Sequence, residues 1–126
     1  MAEKLSLVIL SERFCIIRFN SSDEVPNWKN RSSWYSITKT LDELSIVCEE
    51  AVVPAEVKGD FGWRCIKVLG PLEFGQVGIL AGLSKVLAEK HISIFVVSTY
   101  DTDYILLKEA SLNPAIEVLR MNGYNI

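Results

Sequence analysis

Residues 92–107 read ISIFVVSTYDTDYILL, two apolar runs of strand length on either side of one short polar turn. Runs of this length that are rich in Ile, Val and Tyr are typical of buried β-strands. We therefore predict strands over residues 92–98 and 104–107, joined by a turn at 99–103. These two strands form a hairpin.

A helix is predicted on each side of this hairpin. Between residues 76 and 90, apolar side chains recur at the spacing of a helix with one buried stripe: Ile79, Leu80, Leu83, Val86 and Leu87. Asn113 and Pro114 predict the start of a second helix, and Gly123 predicts its end. With a strand over 63–69 and a last strand over 124–126, the order is βαββαβ. This order is typical of a ferredoxin-like α+β fold, an antiparallel sheet with two helices on one face.

The first half of the chain is a weaker copy of the same pattern. Four strands are predicted there, over residues 5–10, 14–19, 34–38 and 44–48. A brief helix over 23–30 would be capped by Ser22 or Asp23, and residues 54–60 have the composition of a linker or one helical turn. We expect a degenerate N-terminal module over residues 1–61 and a complete C-terminal domain over residues 62–126.

Composition limits the classes of function. The chain has 126 residues, 49% of them hydrophobic, with 13 basic and 16 acidic side chains and a net charge of −3. That balance is typical of one folded domain or two small ones, and the lack of any basic run argues against nucleic acid as a partner. No apolar stretch approaches the roughly 20 residues of a membrane-spanning helix. Residues 1–4 do not begin a secretion signal, so we expect a cytoplasmic protein without a membrane partner.

The sequence contains little that predicts catalysis. Three widely spaced cysteines lie in apolar runs, which favours reduced core thiols: Cys15, Cys48 and Cys65. The single histidine, His91, falls at the end of the predicted first helix and is interpreted as structural. Asp101 and Asp103 form a compact acidic pair that either makes the turn or binds a divalent cation. We expect no catalytic residue, metal or cofactor, and hence no enzyme.

Two stretches resemble the ACT domain family. They are residues 70–81, GPLEFGQVGILA, and residues 92–106, ISIFVVSTYDTDYIL. The Ser-Thr-aromatic-x-x-Asp pattern at 98–103 is similar to the branch that includes the CASTOR arginine sensors and the regulatory domains of lysine-sensitive aspartate kinases. The likeness is strong over residues 62–126, and residues 1–61 look like the degenerate ACT-like module that precedes it in that branch.

The resemblance implies a regulatory domain that binds a small ligand, usually an amino acid, at the interface of paired ACT modules. Carried over residue by residue, the ligand-binding residues are Gln76, Val77, Gly78, Ile79, Thr99, Tyr100 and Asp103. Backbone N–H groups at the helix start would take an α-carboxylate, and Asp103 would accept from an ammonium or guanidinium group. Thr99 would hydrogen-bond the ligand, and the ring of Tyr100 would cover a side-chain stem or cation.

Two observations leave alternatives open at this site. Gln76 stands where the arginine sensors carry a glutamate, so the identity of the ligand stays open. Gly75 and Gly78 permit close approach of a ligand to the backbone, but they equally permit close packing of the helix on the sheet.

These residues predict a non-catalytic sensor, most simply a homodimer, that passes on ligand occupancy to a separate effector protein. The facing module would come from the other half of the chain or from a second subunit. The alternative is a ligand-free dimerisation or scaffold protein that keeps the ACT pairing surface. A small enzyme using Asp101 and Asp103 is a more distant third reading.

Overall fold

A computed structural model describes residues 5–69 and 78–126. They divide into two compact units. The first unit is Glu12–Trp63, and the second unit contains the described residues of Met1–Ser11 and Arg64–Ile126. Two residues of the predicted site, Gln76 and Val77, lie outside the described residues. Within the described ranges, no helix is long and apolar enough to cross a membrane.

The described residues form seven strands, two α-helices and two short 3₁₀ helices. The strands are β1 Leu7–Ile9, β2 Phe14–Phe19, β3 Tyr35–Lys39, β4 Leu44–Glu49, β5 Asp60–Val68, β6 Phe95–Ser98 and β7 Asp103–Lys108. The helices are α1 Ile79–Glu89 and α2 Glu109–Met121, with 3₁₀ helices at Asn27–Arg31 and Glu50–Val52.

The first unit is built on an antiparallel sheet in the order β3-β4-β2-β5, to which β5 contributes its first residues. Strand β2 has the predicted bounds, and its Cys15 pairs with Cys48 of β4. Side chains that alternate along β2 and β4 point to one face and form a buried cluster: Cys15, Ile17, Leu44, Ile46 and Cys48.

The helix predicted over 23–30 is wrong in type and in start. The structure has a 3₁₀ helix at Asn27–Arg31, with Pro26 in an extended conformation at its N-cap (φ −66°, ψ 140°). A residue that precedes proline is disfavoured in the helical region, so the helix cannot extend back through Val25. No residue of this 3₁₀ helix is buried, and the partly buried Trp28 packs against the edge of the core cluster.

The second unit contains the strands β1-β5-β7-β6. Strand β1 is antiparallel to β5, with Leu7 opposite Val68 and Ile9 opposite Ile66. The last strand predicted over 124–126 is reduced to an isolated parallel bridge between Ser6 and Asn125. Because Leu7 N–H donates to the Asn125 carbonyl (2.7 Å), this bridge lies on the edge of β1 away from β5.

The place beside β5 is therefore taken by β1 and not by the C-terminal residues. Apolar side chains at alternate positions of β1 explain this, since Leu7 is buried and Ile9 packs against the same core. The structure consequently groups residues 5–11 with the described residues of 64–126, whereas the sequence predicted one division near residue 61.

The two α-helices pack on one face of this sheet, as the ferredoxin-like prediction requires. Helix α1 buries Leu83, Val86 and Leu87 from the predicted apolar stripe. The shared core also contains side chains from the strands and from α2: Leu7, Ile66, Val68, Ile105, Leu107, Leu112, Ala115, Val118 and Leu119. The α+β fold class is confirmed.

Helix α2 begins earlier than predicted. It starts at Glu109, directly after β7, and Pro114 lies inside it rather than at its first position. Proline has no N–H to donate to the carbonyl of Ala110, but Ala110 is exposed, so water can satisfy that carbonyl. Burial of the helix's apolar stripe outweighs the lost bond. The predicted end is confirmed, since Gly123 has φ 89° and Tyr124 N–H donates to the Leu119 carbonyl (3.0 Å).

The end of α1 resembles that of α2 but uses histidine where α2 uses glycine. His91 has φ 58°, and Ile92 N–H donates to the Leu87 carbonyl (3.1 Å). A left-handed conformation after a helix is normally taken by glycine, because any Cβ is crowded there. His91 is exposed, so its side chain contributes little packing to offset that strain.

We predict that His91→Gly raises the free energy of unfolding by about 0.5–1 kcal/mol, because glycine removes the strain of the left-handed conformation. Urea unfolding followed by circular dichroism measures the change. The matched control is Lys90→Gly, at the neighbouring position with φ −99°, where glycine relieves no strain and should not stabilise. Equal effects of the two substitutions would contradict this explanation.

Candidate functional site

The β6–β7 hairpin presents the polar residues singled out by the sequence. Ser98 pairs with Asp103 across the two strands, and the Ser98 hydroxyl donates to Asp103 Oδ1 (2.6 Å). Thr99 N–H donates to the Thr102 carbonyl (2.8 Å), which closes the turn. The carboxylate of Asp103 is thus held at the end of the hairpin, partly exposed to solvent.

A buried threonine fixes this turn to the neighbouring strand. Thr102 is only 5% exposed, and its hydroxyl donates to the backbone carbonyl of Val68, the last residue of β5 (2.5 Å). Sequence reasoning missed Thr102, because a threonine between two aspartates in a turn has the pattern of an exposed residue. This hydrogen bond holds the β6–β7 turn next to the C-terminal end of β5.

Helix α1 begins without a side-chain cap. Gly78 is its N-cap in the left-handed conformation (φ 83°), and the first helical bond runs from Gly82 N–H to the Gly78 carbonyl (2.9 Å). The N–H groups of the first helical turn, from Ile79 onward, have no acceptor inside the helix. With glycine at the N-cap no side chain of that residue can satisfy them, so this end of α1 favours an anion.

The other predicted side chains lie in the turn itself. Tyr100 is 81% exposed. The Thr99 hydroxyl donates to the Thr102 carbonyl (3.1 Å), so it stabilises the turn as well as being a predicted ligand contact. The structure thus brings Thr99, Tyr100 and Asp103 together in one hairpin end and places Gly78 and Ile79 at the start of α1.

The carboxylates beside a surface depression in the first unit have structural contacts. The depression has a volume of about 360 Å³ and is lined by Glu12, Arg13, Glu49, Glu50 and Ala51. The Glu49 carboxylate accepts hydrogen bonds from the hydroxyls of Ser32 (3.0 Å) and Ser33 (2.9 Å) and from the Ser33 N–H. Glu50 accepts from Gly62 N–H in β5 (3.0 Å), so both carboxylates stabilise segments of their own unit.

The charge state of Glu49 reflects these contacts. Burial raises the pKa of its carboxyl group, but the hydrogen bonds from Ser33 and Ser32 outweigh burial, so the pKa lies below the ordinary value of 4.5.

No group of three or more His, Cys, Asp or Glu side chains able to hold a metal ion occurs within residues 5–69 and 78–126.

Comparison with known families matches residues 58–121 to the profile described as "ACT domain". The chain belongs to the ACT domain family. A second profile, for an N-terminal domain, matches residues 12–56, which fall inside the first unit. The ACT match covers β5 through α2, so it includes both the α1 start and the hairpin of the candidate site.

Curated relatives of this ACT protein include the human and bovine proteins named "Cytosolic arginine sensor for mTORC1 subunit 1". The human protein is 37% identical over 104 residues and the bovine protein 29% identical over 104 residues. Each alignment covers 72% of this chain and 31% of the relative. The chain therefore spans about a third of the length of these relatives.

Solved structures with the same fold include a protein from Agrobacterium tumefaciens, with TM-score 0.91 and 37% identity over 98% of this chain and 92% of that one. The ligand-free regulatory subunit of aspartate kinase from Thermus thermophilus has TM-score 0.64 at 10% identity, covering 95% of this chain and 98% of that one. The second likeness shows the shared fold alone. The human and bovine relatives are named as arginine sensors, and the Thermus thermophilus protein is named as a regulatory subunit.

We predict that Thr102→Val lowers the free energy of unfolding by about 1–3 kcal/mol, because valine has the same shape but leaves the buried Val68 carbonyl without its donor. Denaturant unfolding measures the loss. Thr38→Val, at an exposed position of β3, is the matched control and should change stability by less than about 0.5 kcal/mol. Equal midpoints for the two variants would show that the Thr102 bond does not hold the turn.

The depressed pKa of Glu49 predicts a pH-dependent stability. A carboxyl group whose pKa is lower in the folded chain stabilises the fold above its unfolded pKa of about 4.5 and loses this contribution as pH falls through the folded value. Wild-type stability should therefore fall as pH drops below about 4.5, and Glu49→Gln should fall less steeply. Thermal melts across this pH range test the difference, with Glu56→Gln as an exposed control that keeps the wild-type slope.

Proposed function

We propose that this protein is a non-catalytic regulatory protein that binds a small effector, most simply an amino acid, at the α1 start and the β6–β7 turn. The observation that carries the proposal is the ACT match over residues 58–121, which contains both parts of the candidate site. The relatives named as an arginine sensor and as an aspartate kinase regulatory subunit support this class of function.

The chemistry of the two parts suits a zwitterionic ligand. The N–H groups of the first turn of α1, which have no acceptor within the helix, and the positive end of its dipole favour a carboxylate, an interaction of about 0.3–2 kcal/mol. The Asp103 carboxylate, held by Ser98, is an acceptor for an ammonium or guanidinium group. An α-amino acid carries both charges, so it could engage both parts at once.

Signalling requires more than binding. A ligand changes an equilibrium only if it prefers one arrangement of the protein over another. ACT modules are paired, so we propose that a second copy of this chain supplies the facing module and that occupancy alters this pairing. The effector would be a separate protein in the cytoplasm, the compartment in the relatives' name.

A ligand-free scaffold is the second candidate. It is favoured by one observation, that Thr99 and Asp103 already hydrogen-bond within their own turn. On this reading the polar residues of the hairpin maintain its shape, and the protein acts through its pairing surfaces alone.

Thermal denaturation in the presence of each of the twenty amino acids distinguishes the two candidates. A ligand that binds only the folded chain stabilises it by about 2.7 kcal/mol at one hundred times its Kd, which raises Tm by several degrees for a protein of this size. We expect one amino acid or a small chemical class to raise Tm, with binding confirmed by calorimetry. No shift with any amino acid, in a protein that melts cooperatively, favours the scaffold.

The role of Asp103 is tested with a matched pair of variants. Asp103→Asn keeps an acceptor for Ser98 but removes the charge, so we expect the ligand-induced shift to be lost while Tm without ligand changes little. Asp101→Asn, at an exposed position two residues away, should keep the wild-type shift. Lower basal stability of Asp103→Asn with an unchanged ligand response would assign Asp103 to the turn and not to binding.

A further inference from the structure

Two thiols meet in the core of the first unit. Cys15 of β2 and Cys48 of β4 are directly paired in the antiparallel ladder, and their Sγ atoms lie 3.9 Å apart. Both residues are 0% exposed and both are free thiols. The third cysteine, Cys65, is also buried and free, but it belongs to the second unit.

The pairing of the two strands already satisfies the main distance requirement of a disulfide. Directly opposed residues in an antiparallel pair have Cα atoms about 4.5–5.5 Å apart, within the range of about 4.4–6.8 Å found across disulfides. The Sγ atoms must approach from 3.9 Å to about 2.05 Å, which side-chain rotation together with a small strand adjustment provides. No rearrangement of the sheet is needed.

The side chains that separate this pair of thiols from solvent are themselves only partly buried. The cluster that contains both thiols is closed by partly buried side chains from the 3₁₀ helices and the loops beside them, among them Trp28, Val52, Val53 and Val57. Each 3₁₀ helix spans five residues or fewer. Short segments with few backbone bonds open locally at low free energy, so a small oxidant can reach the thiols without unfolding of the sheet.

The two sulfurs are also unequal in reactivity. The hydrogen bond between the two thiols lowers the pKa of Cys48, whereas the same hydrogen bond and burial raise the pKa of Cys15. We expect Cys48 to react first as a thiolate, and Cys15, directly opposite it in the ladder, is in position to resolve the product.

We propose that Cys15 and Cys48 form a reversible oxidation site, a reduced dithiol that a peroxide converts into a disulfide linking β2 to β4. With hydrogen peroxide as the oxidant, the Cys48 thiolate attacks one oxygen atom, and the O–O bond breaks to give a sulfenic acid on Cys48 and hydroxide. The Cys15 sulfur then attacks the sulfenic sulfur, so that the S–S bond forms and the S–O bond breaks. The two thiol protons leave in two water molecules, and the two electrons lost by sulfur reduce the peroxide.

The expected disulfide is reversible because its geometry is not ideal. Opposed Cβ atoms in a sheet are about 4.5–5.5 Å apart, whereas disulfides favour about 3.8 Å, so closing the bond strains the strand pair. Strained disulfides are the more easily reduced ones, which is the property of a regulatory bond and not of a permanent one.

Hydrogen peroxide applied to the folded full chain tests the proposal. We expect the intact mass to fall by two hydrogen atoms, peptide mapping to find the Cys15–Cys48 linkage, and dithiothreitol to restore both thiols. Cys65→Ala is the matched control and should behave as wild type, while Cys15→Ala should lose the linkage. Because the linkage is mapped in the wild-type chain, the test does not depend on the stability of any variant.

A second measurement tests the route of access. Trp28→Ala thins the cover, so it should speed formation of the linkage several-fold at a temperature where both proteins remain folded. Three intact thiols after peroxide treatment that fully oxidises an exposed cysteine peptide would overturn the proposal. A linkage through Cys65, or one that forms only as fast as the chain unfolds globally, would overturn it as well. None of these outcomes depends on whether an amino acid binds the second unit.

Discussion

The pairing of β1 with β5 is the contact on which the second unit depends. It sets Leu7 opposite Val68 and Ile9 opposite Ile66, and these apolar side chains contribute to the core that α1 and α2 cover. Val68 at the end of β5 then accepts the hydrogen bond from Thr102 that fixes the β6–β7 turn. The position of the candidate site therefore follows from how β5 is held.

The two units differ in how they cover their sheets. The second unit uses two α-helices, each of which buries several apolar side chains in one continuous core. The described part of the first unit has only two 3₁₀ helices, and none of their residues is fully buried. Apolar burial is the main stabilising term, so the first unit has the weaker cover, and the Cys15–Cys48 pair lies beneath it.

The turn that contains the proposed ligand contacts is itself held by hydrogen bonds. Ser98, Thr99 and Thr102 hold the hairpin end through their hydroxyl groups, and the Asp103 carboxylate is oriented by Ser98. A turn fixed in this way presents its carboxylate with little conformational freedom to lose, which is what a ligand site requires. Internal hydrogen bonds in the turn are thus compatible with binding as well as with a structural role.

The sequence by itself determined the α+β fold class, the hairpin and the apolar stripe of α1, because these depend on local periodicity and turn chemistry. It also determined the ACT family, through the resemblance of residues 70–81 and 92–106 to that family. It also determined the end of α2, since Gly123 suits a left-handed cap. Only the tertiary structure decided that β1 lies beside β5, that α2 continues through Pro114, and that Thr102 is buried. Each of these depends on which apolar surfaces meet across long sequence separations, and no local pattern encodes such contacts.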